Sequence, residues 1–325
     1  MSGTENFTRS EMASLTESAE GATLYVTLEP CCHYGKTPPC TEAILEQKIA
    51  RVVIGSRDPN PLVSGKGAAI LKAAGVRVEE DFMREECDAL NPVFFHYITK
   101  KTPYVVMKYA MTADGKIAAR TGDSKWITGE SARKKVQELR HQYMGIMAGI
   151  GTVLADDPML NVRIPGLKSP VRIICDSGLR IPMDSKIVKT AKEYRTIVAY
   201  AGEHSGEGCK EAEEKEEQLH AAGVETVSVP DADGRVDLRK LMEYLGKQGI
   251  DSVLLEGGGT LNDAALSAGI VNEICAFIAP KIFGGAGAKT PVSGIGVAHP
   301  AEAVKLTLRQ METIGDDLML RYSVD

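Results

Sequence analysis

Cys31, Cys32 and Cys40 crowd into one stretch, EPCCHYGKTPPC, directly after the apolar run ATLYVTL. Thiolates at a strand-to-helix junction are stabilised by the free N–H groups of the helix start, and deprotonated sulfur is what zinc binds. Hydrolytic zinc sites of this kind use H-x-E followed by P-C-x-x-C, in which one His and two Cys hold the metal and the Glu moves protons. Here two Pro-Cys steps, Pro30-Cys31 and Pro39-Cys40, flank a glycine turn at wider spacing. Two buried cysteines in a proline-rich turn are the bland alternative; the doubled Pro-Cys step favours a metal loop.

A second group of residues suits a phosphorylated cofactor. Residues 254–261, LLEGGGTL, read as a strand, a glycine turn and a helix start. Bare glycine N–H groups at a helix N-terminus make a nest for an anion. The spacing is not G-x-G-x-x-G, and a simple tight turn explains three glycines as well. Residues 151–158, GTVLADDP, set a small-residue turn before Asp156-Asp157. That pair serves as acid/base or metal ligand, or as a turn or helix cap before proline. Ser177 follows the strand VRIICD, where a dinucleotide site for NAD would carry an acid; with Arg180 close by it suits the 2′-phosphate of NADP. Lys108 and Glu256 stand at expected strand ends facing the presumed cleft, as candidate catalytic polar groups, with a structural Lys–Glu pair as the competing reading.

The elements that position these groups alternate. The chain has 325 residues, which fits two domains. It is 43% hydrophobic and 25% charged, the composition of a soluble globular protein. A net charge of -6 and 5% aromatic residues disfavour a nucleic-acid binder. The stretch 144–155 is shorter than the roughly 20 residues a membrane-spanning helix needs, and MSGTENFTRSEM has no apolar signal core. Reduced cysteines and a cytoplasmic location are therefore expected. A helix is expected at 11–20, capped by Ser10; strands at 22–28, 50–55 and 76–78 enclose helices at 41–47 and 67–74. HYITKKTP, 96–103, reads as a break, giving domains 1–99 and 102–325. Beyond it come strands at 104–111, 145–149, 171–176, 196–200, 226–229, 252–255 and 274–282, with helices at 130–142, 238–248 and 261–268. A strand pair, 306–310 and 318–322, ends the chain, and the Glu- and Lys-dense 203–218 is a solvated helix face. Such alternation makes an α/β protein built on parallel sheet.

TLYVTLEPCCHYGKTPPC and RDPNPLVSGKG resemble the deaminase domain of the bifunctional riboflavin-biosynthesis deaminase/reductase family. YAMTADGKIA, GDSKWIT, GTVLADDPMLNVR and LLEGGGTLN resemble its reductase half, so the resemblance runs from Gly21 to the end. It implies a truncated cytidine-deaminase-like domain followed by a dihydrofolate-reductase-like α/β domain. It implies zinc on Cys31 and Cys40, and NADPH at Ala110, Trp126, Thr152, Asp156, Ser177, Gly258, Gly259, Thr260 and Leu261. The implied substrate, a pyrimidine carrying a ribosyl phosphate, falls to Ser124, Arg140, Leu160, Arg163 and Glu256. Guanidinium groups grip phosphate through paired hydrogen bonds, although a surface ion pair is the alternative use of each Arg. The implied reduction opens the ribose to an imine or aldehyde-like form and delivers hydride to C1′. A homo-oligomer with a small-molecule substrate and no nucleic-acid or membrane partner is expected.

One departure stands at the front. The family's His-Ala-Glu should precede Cys31 by roughly two dozen residues, and that place reads Asn6-Phe7-Thr8. No His precedes His33. Catalytic zinc takes three protein ligands and an open position. The expectation is therefore a working reductase beside a deaminase that is disabled, or a chain that begins inside that domain, with His33 as reserve ligand. Two other readings stay open: a single-activity reductase on a scaffold domain, and a non-catalytic nucleotide- or pteridine-binding protein. Ser124, Arg140, Arg163 and the GGGT loop speak against the last.

Overall fold

A computed structural model describes residues 18–35, 37–61, 63–202 and 209–325, in two compact units, Met1–Lys100 and Lys101–Asp325. In the first unit, β1 (Thr23–Leu28), β2 (Arg51–Ser56) and β3 (Arg77–Glu79) pair in parallel in that order. Helices α1 (Cys40–Glu46) and α2 (Lys66–Ala73) make the crossovers. Ile44, Val52, Ile54, Ala68, Leu71 and Val76 form the buried core between them. Glu29, directly after β1, is buried and accepts the N–H groups of Gly65 at 3.0 Å and Ala68 at 3.2 Å, so its carboxylate caps α2. Gly67 is required where it stands, because a Cβ there would lie 2.1 Å from the Pro30 carbonyl oxygen.

Helices α3 (Arg84–Leu90) and α4 (Pro92–Lys100) complete the unit. Residues 96–103 were expected as a break, yet the chain is helical up to Lys100. Proline opens α4 at a position where its missing N–H costs nothing, and Lys101, at φ 58, follows its last residue. The helix expected at 11–20 and its Ser10 cap lie almost wholly outside the described residues; residues 18–20 are not helical.

The second unit carries a nine-stranded sheet. Its strands are β4 (Tyr104–Thr112), β5 (Gly145–Gly149), β6 (Val171–Cys175), β7 (Thr196–Tyr200), β8 (Glu225–Ser228), β9 (Ser252–Leu255), β10 (Val271–Ala279), β11 (Leu306–Ile314) and β12 (Asp317–Val324). They lie in the order β11–β12–β10–β4–β9–β5–β6–β7–β8, parallel except for the last two strands of the chain. Helices α5 (Glu130–Gln142), α6 (Ile150–Asp156), α7 (Lys186–Lys189), α8 (Cys209–Ala221), α9 (Leu238–Lys247) and α10 (Gly259–Ser267) fill the connections. Side chains alternate across the sheet: Met107, Met147, Val253 and Leu255 pack with Leu241 and Leu245 of α9. Ile146, Ala148, Ile174 and Val198 pack on the other face with Val153 of α6 and Ile187 of α7.

Two departures from the expected pattern matter for the site. Residues 150–156 are a helix, where a turn was expected, because Gly149 ends β5 in extended geometry and leads straight into α6. The chain also reserves a slot: it leaves β4 for β5, fills β6 to β8 outward, then inserts β9 between β4 and β5. The crossovers after β5 and β9 run in opposite directions, and in such sheets ligands bind outside the strand ends at that switch. No helix among the described residues is long and apolar enough to cross a membrane.

Candidate active site

At the switch, two helix starts adjoin. A methyl on Gly149 would touch Leu261 at 3.7 Å, so α6 and α10 begin side by side. Gly258 is the N-cap of α10 and no side chain caps the helix, which leaves first-turn N–H groups for an anion. A Cβ on Gly258 would meet open space. Gly259 is different: a Cβ there would lie 2.8 Å from the Thr290 carbonyl oxygen and 2.9 Å from Ser293 Oγ. The glycines thus divide between an open cradle at Gly258 and close packing at Gly259. A dinucleotide phosphate fits this cradle. Thr260 is exposed, and Leu261 and Thr152, in the first turns of α10 and α6, are half-buried.

Beside the cradle lies a charged cluster. Met107 pairs with Leu255 across β4 and β9, which brings Lys108 next to Glu256. Lys108 Nζ is 3.2 Å from the Glu256 carboxylate, and Arg140 of α5 donates to it through Nε at 2.6 Å and Nη2 at 3.1 Å. The three side chains are 11–13% exposed. Burial alone would raise the Glu256 pKa; Arg140 and Lys108 reverse that and hold it at about 2. The cluster is therefore a fixed carboxylate between two cations, with a net positive charge. Ala110, half-buried, lies two residues along β4 on the Lys108 face.

Around the crevice, Trp126 is 60% exposed, with the Arg133 guanidinium 4.6 Å above its ring. Lys281, just past β10, donates to the carbonyls of Trp126 at 3.1 Å and Ile127 at 2.8 Å, and so fixes the loop that carries half-buried Ser124. Lys125 lies 3.6 Å from Asp156, joining that loop to the end of α6. Asp157 turns elsewhere and accepts the Lys186 N–H at 2.8 Å, so the acidic pair splits. Arg163 is exposed, its backbone N–H held by Gln137 Oε1 at 2.9 Å. It borders a groove of about 490 Å³ with Arg133, Lys134 and Gln137.

In the first unit, the Cys40 N–H donates to Cys31 Sγ at 3.2 Å, so the two cysteines do meet. Partial burial and the Cys31 sulfur both push the Cys40 thiol above its ordinary pKa. Among the described residues no three His, Cys, Asp or Glu side chains gather as a metal set, so His33 does not complete one. Asn6 and Thr8 lie outside the described residues. The described residues therefore supply two of the three ligands zinc needs, and no step through zinc follows from them.

Residues 103–320 match the RibD C-terminal domain family, and residues 5–56 match the cytidine and deoxycytidylate deaminase zinc-binding region. Riboflavin biosynthesis protein RibD of Actinobacillus pleuropneumoniae is 55% identical over 316 residues, 97% of this chain and 82% of that protein. The chain belongs to the RibD family. The corresponding protein of Aquifex aeolicus is 40% identical over 94% of this chain and 82% of its own length. A solved diaminohydroxyphosphoribosylaminopyrimidine deaminase/5-amino-6-(5-phosphoribosylamino)uracil reductase of Thermotoga maritima is 35% identical, with a TM-score of 0.81 over 97% of this chain and 83% of that one. The chain is thus an enzyme of riboflavin biosynthesis, joining a cytidine-deaminase-like half to a reductase half. RibD proteins use NADPH in the reductase and zinc in the deaminase.

Three of the expected site positions have surroundings that the sequence does not show. Arg140 was expected on a phosphate; here its fork closes on Glu256 and its Nη1 donates to the Asn161 carbonyl at 3.2 Å. Leu160 was expected at the substrate; its side chain is 4% exposed and packs in the core with Val153 and Ile174. Asp176, the last residue of the expected strand VRIICD, directly precedes Ser177 and is fully buried. Sequence reading also missed Gln137 and Lys281. Gln137 and Arg140 sit three apart on one face of α5, a spacing visible in the sequence; the Lys281 contact crosses more than a hundred residues and left no local signal.

Proposed function

We propose that the crevice at the ends of β4, β9 and β5 reduces a ribosylaminopyrimidine phosphate at C1′, with NADPH supplying the hydride. The observation that carries this is the adjacency of the Lys108–Glu256–Arg140 cluster to the uncapped glycine start of α10. Gly258, Gly259, Thr260 and Leu261 would hold the cofactor phosphates by backbone N–H groups, with Thr152, Asp156, Trp126, Ala110 and Ser177 as its further contacts. Once the ribosylamine has opened to its imine, hydride adds to C1′ and a proton to the nitrogen. Lys108 gives that proton, and Glu256 keeps the ammonium in place and contacts the substrate. Arg163 and Ser124 take the phosphate, and Arg133, Lys134 and Arg163 outnumber Glu130, the one acid lining the groove. Arg140 positions Glu256. Incubating the chain with NADPH and 5-amino-6-(5-phosphoribosylamino)uracil tests this: loss of NADPH absorbance in step with the ribityl product is expected, and no turnover would remove it.

We further propose that the chain is a homo-oligomer working in the cytoplasm, where thiols stay reduced. Strand β11 is a nine-residue sheet edge with Leu306, Leu308 and Met311 exposed, and an unpaired antiparallel edge pairs with its own copy across a two-fold axis. Analytical ultracentrifugation should give a dimer or larger, and Leu308→Lys should shift it toward monomer. A wild-type monomer at micromolar concentration would refute it.

A further inference from the structure

We propose that Arg172 is a positioning residue for the substrate phosphate: with Arg140 it clamps the backbone on both sides of Leu160 and so aims Arg163 at the groove. This rests on reading Arg163 as the phosphate contact. Arg172 is the second residue of β6 and is 0% exposed. Burial draws its pKa down to about 10, so it stays charged at neutral pH. Nε and Nη2 donate to Thr196 Oγ1 at 3.0 and 2.7 Å, and Nη1 donates to Thr190 Oγ1 at 2.9 Å. Nη2 also donates to the carbonyls of Ile187 at 2.8 Å and Tyr194 at 3.2 Å. These acceptors hold the guanidinium from one side. Its remaining bond, from Nη1 to the Met159 carbonyl at 3.3 Å, crosses to the loop after α6. Every acceptor is neutral. A buried cation without an anion is costly, and apolar residues fill a core as well; what a guanidinium adds is a rigid fork that fixes several oxygens at once.

The oxygen it fixes in the loop lies next to a strained residue. Met159, Leu160 and Asn161 belong to neither helix nor strand. Leu160 has φ 48, a left-handed conformation that a leucine keeps only where its surroundings impose it. Three contacts impose it. Arg172 takes the carbonyl before Leu160, and Arg140 Nη1 takes the Asn161 carbonyl after it at 3.2 Å. The Leu160 side chain itself is buried with Val153 and Ile174. Asn161 Nδ2 also reaches the Tyr194 hydroxyl at 3.4 Å, and the Arg172 guanidinium lies 5.2 Å from the centre of the Tyr194 ring. The kink sends Leu160 inward and leaves Arg163 exposed three residues on, its N–H held by Gln137. Because Arg140 also grips Glu256, the same clamp ties the phosphate loop to the Lys108 cluster.

The test uses the whole chain and a double-mutant cycle of Arg172→Met with Arg163→Ala. Each protein is assayed with 5-amino-6-(5-phosphoribosylamino)uracil and with its dephosphorylated form. NADPH affinity is read from quenching of Trp126, the chain's one tryptophan. Arg172→Met should raise KM for the phosphorylated substrate about tenfold, the scale of one charge-assisted hydrogen bond. KM for the dephosphorylated form and NADPH affinity should hold. In the Arg163→Ala background the same change should add less than about twofold, because Arg172 acts through Arg163. A loss that both substrates share equally, or one that adds in full to Arg163→Ala, overturns the proposal but spares the site. If Arg172→Met does not fold, Arg172→Lys, which keeps the charge but offers one nitrogen where three stood, decides by the same cycle. An Arg163→Ala protein that handles both substrates as wild type does removes the phosphate reading and this proposal together.

Discussion

Glu256 shows how one residue's environment sets its role. It is buried, yet the two cations beside it keep it ionised, with a pKa of about 2. Because the folded pKa lies below the ordinary 4.5, its stabilisation is complete above that value and is lost as pH falls toward 2. Glu256→Gln leaves two buried cations without their partner, so it should cost about 3–5 kcal/mol at neutral pH. Denaturant melts of both proteins should show the gap narrowing below pH 4; a constant gap would mean that Glu256 is not the charge that matters. Arg163 makes the opposite case, an exposed cation beside an open groove. Arg163→Ala should raise the substrate KM roughly ten- to a hundredfold, equivalent to about 1.5–3 kcal/mol, with NADPH affinity unchanged. An unchanged KM would take Arg163 out of the site. The residue types were legible from the sequence, but the assignment of partners was not. Nothing local to Arg140 says that its fork closes on a carboxylate more than a hundred residues away.

At the scale of elements, the central strands and α9 followed from hydrophobic pattern, since each buries apolar residues. α9 repeats Leu238, Leu241, Met242 and Leu245 toward the core and is capped by Asp237, which accepts the Arg239 and Lys240 N–H groups. The four-residue α7 escaped because too few positions exist to show a period, and α6 because its glycine-led start, Ile150-Gly151-Thr152, reads as a turn. β9 was recognised as a strand, but its slot between β4 and β5 depends on pairing that only topology reveals, and that slot creates the crevice. The glycine start of α10 gives an element-scale prediction. Gly258 has φ -82 and open space where a Cβ would project. Gly258→Ala should therefore change stability by no more than about 0.5 kcal/mol while weakening NADPH, because the methyl enters the cradle. Thermal melts and Trp126 titration check the two halves; unaltered NADPH binding would move the phosphates elsewhere.

The whole molecule joins two chemistries, and its two units differ in how much of their machinery the residues supply. In the first, Cys31 and Cys40 meet without a third ligand among the described residues. The 325-residue chain should accordingly hold well under one zinc and release little ammonia from the amino precursor; stoichiometric zinc with turnover would show that a further residue completes the set. In the second, the Lys108–Glu256–Arg140 cluster directly precedes the glycine start of α10, with its members drawn from strands and a helix far apart in the chain. The central claim is that this crevice carries the reduction through Lys108. Its most direct test is a single-turnover comparison of wild type with Lys108→Met, each preloaded with NADPH and mixed with the ribosylaminopyrimidine phosphate. Lys108→Met should bind NADPH as wild type does but transfer hydride at least about a hundredfold more slowly, the minimum expected for a lost proton donor. Hydride transfer at the wild-type rate in Lys108→Met would contradict it.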